Sequence, residues 1–298
     1  MSFASDTKQE LCREPVHRRC CAVAESYGIL LFCNTFSDKL IRIVTESRDF
    51  AQRLPVLFKK AFSVHFDDLP DAEQSGKHIF QIRDRASISQ IFETFGLTAE
   101  NNLALHINLG VLEEECDRIS FLRGAFLAGG SVTDPEKRYH LELTTGHLKV
   151  SNEAYSLLLE QSFQPKDTMR NGSSVLYFKQ SDAIEDFLTL IGAPVCAMRI
   201  MEAKVEKDLR NGINRRVNCE TANLDKAVDA AQEQIAAIRQ LQTAGVLEQL
   251  PEKLQKTAQL RLEHPEATLT ELAKLHEPIL TKSAVNHRLR KLMEAAKE

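Results

Sequence analysis

Apolar and polar residues alternate over "KLIRIVT" (39–45) and again over "YHLELTT" (139–145). A period of two marks a strand with one buried face. The stretches 77–84 and 174–180 read the same way. Helical spacing separates them. Helices are expected over 15–31, 47–61, 117–128 and 151–162, with Ser47 and Ser151 as N-caps. A closing helix ends at Gly96 and another at Gly192, where glycine suits the turn out of a helix. Extended stretches with loops are expected over 67–77 and 165–172, and a short extra strand after each opening helix.

These elements occur twice. Gly28 and Gly124 are 96 residues apart, as are Gly96 and Gly192, and residues 80–97 align without a gap on 176–193. Apolar positions match along that alignment: Phe80 with Leu176, Ile82 with Phe178, Ile88 with Ile184, Ile91 with Phe187. The expectation is a duplicated α+β body, domain 1–206, with αββαββα halves over about 15–97 and 113–193. Gly28 and Gly124 both fall inside opening helices. An interior glycine costs about 1 kcal/mol against alanine, and a thin helix lets a partner backbone come close. The two opening helices are therefore expected to pack on each other between the halves.

Beyond about residue 207 the alternation stops. "KDLRNGINRR" (207–216) carries Asn-Gly and reads as a turn, so 207–220 is expected to be a linker and 221–298 a helical domain. In it, Leu224, Ala227, Val228, Ala231, Ile235, Ile238 and Leu241 share one face of a helix that Gly245 closes. Pro251 suits the first turn of the next helix. Thr268 or Thr270 can cap a short one, Pro278 breaks it, and Thr281 starts the last. Two short helices with a tight break between them form the helix-turn-helix pattern. On the last helix Val285, Leu289, Leu292 and Ala296 lie on one side, with Ser283, His287 and Arg290 opposite. Asn286 flanks that outer face on one side, and Arg288 and Lys291 lie toward the other.

Charge supports this division. The chain has 38 basic and 42 acidic residues, a net charge of −4, which excludes a protein that coats nucleic acid with uniform positive charge. The charge is uneven, however. Residues 1–206 are net −6 and residues 207–298 net +2, while the segment 282–291 holds four basic residues and no acid. Arginine can donate two hydrogen bonds to guanine and asparagine can pair with adenine in the major groove. Ser283, Asn286, His287 and Arg290 are thus the candidates for base edges, and Lys282, Arg288 and Lys291 for phosphates. There is no Trp and aromatics are 6%, which disfavours a stacking platform for single strands.

Seven cysteines include no C-x-x-C pair. They read as free thiols of a reducing compartment. Adjacent residues on a helix point in different directions, so Cys20–Cys21 is read as neither a redox nor a metal site. No cofactor is expected. The N-terminus lacks an apolar signal-peptide core, and "GILLFC" is too short to span a bilayer, so a cytoplasmic, nucleoid-associated protein is expected.

The segment "LRGAFLAGGSV" (122–132) resembles the LAGLIDADG motif of homing endonucleases, in the form carried by the WhiA family of bacterial transcription regulators. "AESYGILLFCN" (24–34) resembles a second, less complete copy. "NLDKA…RLEHPEATLTELAKL…LTKSAVNHRLRKL" is similar to the WhiA C-terminal block, and the likeness covers essentially the whole chain. It implies a LAGLIDADG-like body followed by a helix-turn-helix domain. It further implies a sequence-specific regulator that binds double-stranded DNA and acts in cell division, chromosome segregation or sporulation, alongside other regulatory or division proteins. In the enzymes an acid at the base of each motif helix holds the catalytic metal. Cys33 and Gly129 stand there in this chain, so no catalytic residue is expected. Two rival classes are a metal-dependent DNA endonuclease and a protein-binding adaptor of the division machinery.

Overall fold

The computed structural model describes residues 2–70, 76–97 and 105–297. The chain divides into two units, residues 1–207 and 208–298.

In the first unit, helix α1 (Phe3–Arg13) precedes the repeat. The first half then runs through α2 (Arg19–Phe32), β1 (Thr35–Phe36), β2 (Ile41–Thr45), α3 (Arg48–Phe62), β3 (His78–Ile82) and α4 (Arg85–Thr94). The second half has α5 (Glu115–Gly129), β4 (Gly130–Val132), β5 (Leu141–Thr145), α6 (Leu148–Glu160), β6 (Lys166–Arg170), β7 (Ser173–Phe178) and α7 (Ser181–Ile191). The second half is the expected αββαββα unit, with antiparallel strand order β4-β5-β7-β6. Among the described residues the first sheet is shorter, β1-β2-β3, and its fourth strand is reduced to one bridge between Asp68 and Gln81. Part of the expected extended stretch, residues 71–75, lies outside the described residues.

The repeat extends to register. Ile41 pairs with Ile82 and Ile43 with Phe80 in one sheet; Leu141 pairs with Phe178 and Leu143 with Leu176 in the other. All eight side chains are buried. A one-residue slip would turn every one of them to the opposite face, so alternation and register specify each other.

The opening helices pair as their glycines require. A Cβ on Gly28 would lie 2.1 Å from the Phe121 carbonyl oxygen, and one on Gly124 would lie 2.0 Å from the Glu25 carbonyl oxygen. Each helix thus rests its backbone on the other. This closeness buries α2 almost all round from Ala22 to Phe32, including the carboxylate of Glu25. Arg53 of α3 meets that carboxylate with two bonds, Nε to Oε1 at 2.6 Å and Nη2 to Oε2 at 2.8 Å. Arg123 of α5 adds a contact at 3.6 Å. Without those cations an ionised group so deep would be untenable.

Four local expectations change. Ser47 is the N-cap of α3, its Oγ accepting from the Phe50 amide at 3.3 Å. Ser151 is not a cap: α6 begins directly after the turn at Gly146, and the Ser151 amide already donates to the His147 carbonyl at 3.0 Å. The counterpart of Ser47 is His147. Helix α1 was not expected, although Phe3, Thr7 and Leu11 form its buried stripe at a spacing of four. Residues 207–220 form no break. They lie inside α8 (Pro194–Thr243), a 50-residue helix. An interior glycine such as Gly212 costs only about 1 kcal/mol, too little for Asn-Gly to stop a helix flanked by long helical runs. On the face expected over 224–241, Ala231, Ile238 and Leu241 are buried, while Leu224 and Val228 are exposed.

Candidate nucleic-acid interface

In the second unit, α9 (Glu252–Glu263), α10 (Leu269–Leu275) and α11 (Lys282–Ala295) close on the end of α8. Their shared core is Ile238, Leu241, Ala258, Leu272, Ala273, Val285, Leu289 and Leu292. Helix α10 starts with a full capping box: Thr268 Oγ1 accepts from the Glu271 amide, and the Glu271 carboxylate accepts from the Thr268 amide at 2.8 Å. This arrangement satisfies two of the amides that a helix start leaves open. The turn that follows, 276–281, is anchored where the Leu280 amide donates to the Ala273 carbonyl at 3.0 Å. Thr281 then caps α11 through the Ala284 amide.

The framework is tied together by buried polar groups that the sequence pattern did not reveal. Arg261 of α9 is buried and donates to the Ala267 carbonyl at 2.6 Å, holding the loop into α10. His276, at the end of α10, is buried with Nε2 3.4 Å from Thr257 Oγ1. Burial pushes its pKa below the usual 6.5, with the nearby charges of Arg288 and Lys256 acting the same way.

Burial of Val285, Leu289 and Leu292 turns the opposite face of α11 to solvent. Lys282, Ser283, Asn286, His287, Arg290 and Lys291 are all exposed. They form one surface of three positive charges, a serine hydroxyl, an asparagine amide and an imidazole. Arg288 is placed differently. It is half-buried, with Nη1 3.4 Å from both the Lys253 carbonyl and Thr257 Oγ1, so it braces α11 against α9.

The first unit presents the motif positions of its paired helices. Cys33 caps the end of α2 and donates its thiol to the Leu30 and Thr35 carbonyls at 3.2 and 3.3 Å. At Gly129, a Cβ would meet the Thr144 carbonyl oxygen at 2.3 Å, so no side chain fits there at all. A cavity of about 650 Å³ opens beside these ends, lined by Asn34, Thr45, Ala128 and Gly130 among others, and among the described residues Glu46 is its one carboxylate. Neither helix base supplies the oxygen ligands a hard divalent cation needs. Among the described residues no helix is long and apolar enough to cross a membrane.

Comparison with known proteins follows this division. The family model of the WhiA LAGLIDADG-like domain matches residues 118–210, and that of the WhiA C-terminal HTH domain matches residues 213–296. A probable cell division protein WhiA of Ruminiclostridium cellulolyticum is 38% identical, over 99% of this chain and 97% of that one. One from Desulfitobacterium hafniense is 37% identical over 100% and 96%. The crystal structure of full-length DUF199/WhiA from Thermatoga maritima matches the fold with a TM-score of 0.61 at 24% identity, covering 100% of this chain and 98% of that one. With a LAGLIDADG-like domain and a following helix-turn-helix domain each matched by its WhiA family model, and relatives 37–38% identical over nearly the full length, the chain belongs to the WhiA family.

Proposed function

We propose that the chain is a sequence-specific DNA-binding transcription regulator whose α11 enters the major groove of double-stranded DNA. The observation that carries this reading is the exposed face of α11, where Lys282, Ser283, Asn286, His287, Arg290 and Lys291 stand together above a buried Val285, Leu289 and Leu292. Arg290, Asn286, Ser283 and His287 read base edges. Lys282 and Lys291 hold phosphates, which position the helix without carrying sequence information. Arg288 sets the angle of α11 through its bonds to α9.

The protein acts in the cytoplasm at the nucleoid. The names of its relatives support a role in cell division, and the family resemblance extends it to chromosome segregation and, in sporulating bacteria, to sporulation, together with other regulatory or division proteins. The LAGLIDADG-like body serves as a scaffold without nuclease chemistry, since two-metal cleavage needs carboxylates where Cys33 and Gly129 stand.

Mapping chromosomal occupancy of the full chain tests the reading. Discrete sites sharing a sequence, lost in Arg290→Ala, are expected. Uniform occupancy, or none, would refute it. Supercoiled plasmid incubated with Mg²⁺ or Mn²⁺ should stay intact, and a nick would restore the endonuclease class.

A further inference from the structure

The opposite ends of the paired helices hold a second feature. Cys20 and Cys21 are the second and third residues of α2, and Cys116 and Asp117 the second and third of α5. The pairs are 96 residues apart, the same offset that relates Gly28 to Gly124. The close glycine contact brings both helix starts together. One ligand atom from each of the four residues lies within 4.8 Å of all the others.

The spacings suit one metal. A tetrahedral zinc with Zn–S near 2.3 Å sets its sulfurs about 3.8 Å apart, and a sulfur and a carboxylate oxygen about 3.6 Å apart. Here the Cys20 and Cys21 Sγ atoms are 3.9 Å apart, and Cys116 Sγ is 3.7 Å from Asp117 Oδ1. The remaining closure is within reach of side-chain rotation, because Cys20 is exposed and Cys21 and Cys116 only half-buried.

A second observation points the same way. Asp117 is 4% exposed, yet among the described residues no arginine, lysine or histidine forms an ion pair with it. Glu25, the other buried acid at this helix interface, has two arginines. A buried carboxylate normally has a cation or a set of donors, and Asp117 instead faces thiols.

We infer that Cys20, Cys21, Cys116 and Asp117 form a site for a thiolate-preferring divalent cation, Zn²⁺ being the one whose geometry and ligand preference fit. With four protein ligands and no open position the site is structural. It staples the starts of α2 and α5, and so the two halves of the body. Binding displaces the thiol protons, one from each cysteine, to solvent. Nothing in the linear spacing of the cysteines shows this set, because half of it comes from the other repeat.

The test uses the full chain, purified under reducing conditions and loaded with Zn²⁺ or Co²⁺ alone. One metal per chain is expected by elemental analysis. With Co²⁺, the absorption bands of a tetrahedral thiolate complex should appear. Cys116→Ser and Cys21→Ser should abolish stoichiometric uptake, Asp117→Asn should weaken it by roughly tenfold or more, and Cys219→Ser should leave it intact. A second measurement needs no variant. Zn²⁺ should protect Cys20, Cys21 and Cys116 of the unaltered protein from alkylation while the exposed Cys219 still reacts. Absence of stoichiometric binding would overturn the inference, as would binding that survives Cys116→Ser, equal protection at Cys219, or a reduced protein that forms a Cys116 disulfide on oxidation but never takes up metal.

Discussion

Gly124→Ala is the sharpest test of the packing between the two halves. Judged by helix propensity alone it should stabilise α5 by about 1 kcal/mol. The structure reverses the sign. The new Cβ would lie 2.0 Å from the Glu25 carbonyl oxygen and 2.9 Å from its carbon. Carbon–oxygen contacts settle near 3.3–3.6 Å, so the helices must part by roughly 1.3 Å. Both clashing atoms of Glu25 are backbone, and no rotamer can relieve them. A gap of that order forfeits up to about half of each neighbouring dispersion contact. Overpacking costs about 1–3 kcal/mol, and the upper end applies here. Subtracting the propensity gain leaves a net loss near 2 kcal/mol, or about thirtyfold in the opening equilibrium at 1.36 kcal/mol per factor of ten. Hydrogen exchange of the full chain, followed by mass spectrometry of peptides from α5, reads this directly. The internal control is Gly212→Ala. Nothing lies within 4 Å of a Cβ there, so exchange in that part of α8 should slow by about fivefold, the propensity term alone. If Gly124→Ala leaves α5 as protected as before, or more so, the close-contact account of this glycine is wrong.

Three further outcomes follow from the same structure. Arg53→Ala leaves the fully buried Glu25 with only the longer Arg123 contact and strips the Cys12 and Glu14 carbonyls of their donor; denaturant unfolding should show a loss of about 3–5 kcal/mol, and a loss below 1 kcal/mol would contradict the buried-pair assignment. Arg290→Ala should cost about 1–3 kcal/mol at a specific DNA site and relax one base position, whereas Lys291→Ala should weaken all sequences alike and lower the salt slope by about one; anisotropy titrations across salt concentrations separate the two, and unchanged site preference in Arg290→Ala would remove it from base reading. His276 has a lowered pKa in the folded second unit, so below 6.5 the unfolded chain takes up the proton more readily than the folded one. Stability of that unit should therefore be full above pH 6.5 and fall as pH drops through the folded pKa, and His276→Gln should flatten that dependence in thermal melts followed from pH 7.5 to 5.

The sequence determined the parts whose physics is local. Alternation over 41–45 and 141–145 records which face is buried, and burial of that face selects the register seen in both sheets. Thr281 capping α11, and Val285, Leu289 and Leu292 turning Arg290 outward, are likewise written within one helix. The pairing of α2 with α5 was legible because glycine inside a helix is costly unless something rests on it. Tertiary structure decided what depends on distant groups. Ser151 lost its capping role because α6 starts at the turn after β5. The contact of Arg288 with a carbonyl and a hydroxyl of α9 depends on the packing of two separate helices. Residues 207–220 became helix, since one Asn-Gly signal is weaker than the helical runs on either side. Cys20 and Cys21 look idle along the chain and become half of a four-ligand cluster only when the second repeat delivers Cys116 and Asp117. Periodicity tells each residue which way it faces, while the identity of the group it meets there is set by chain closure over about a hundred residues.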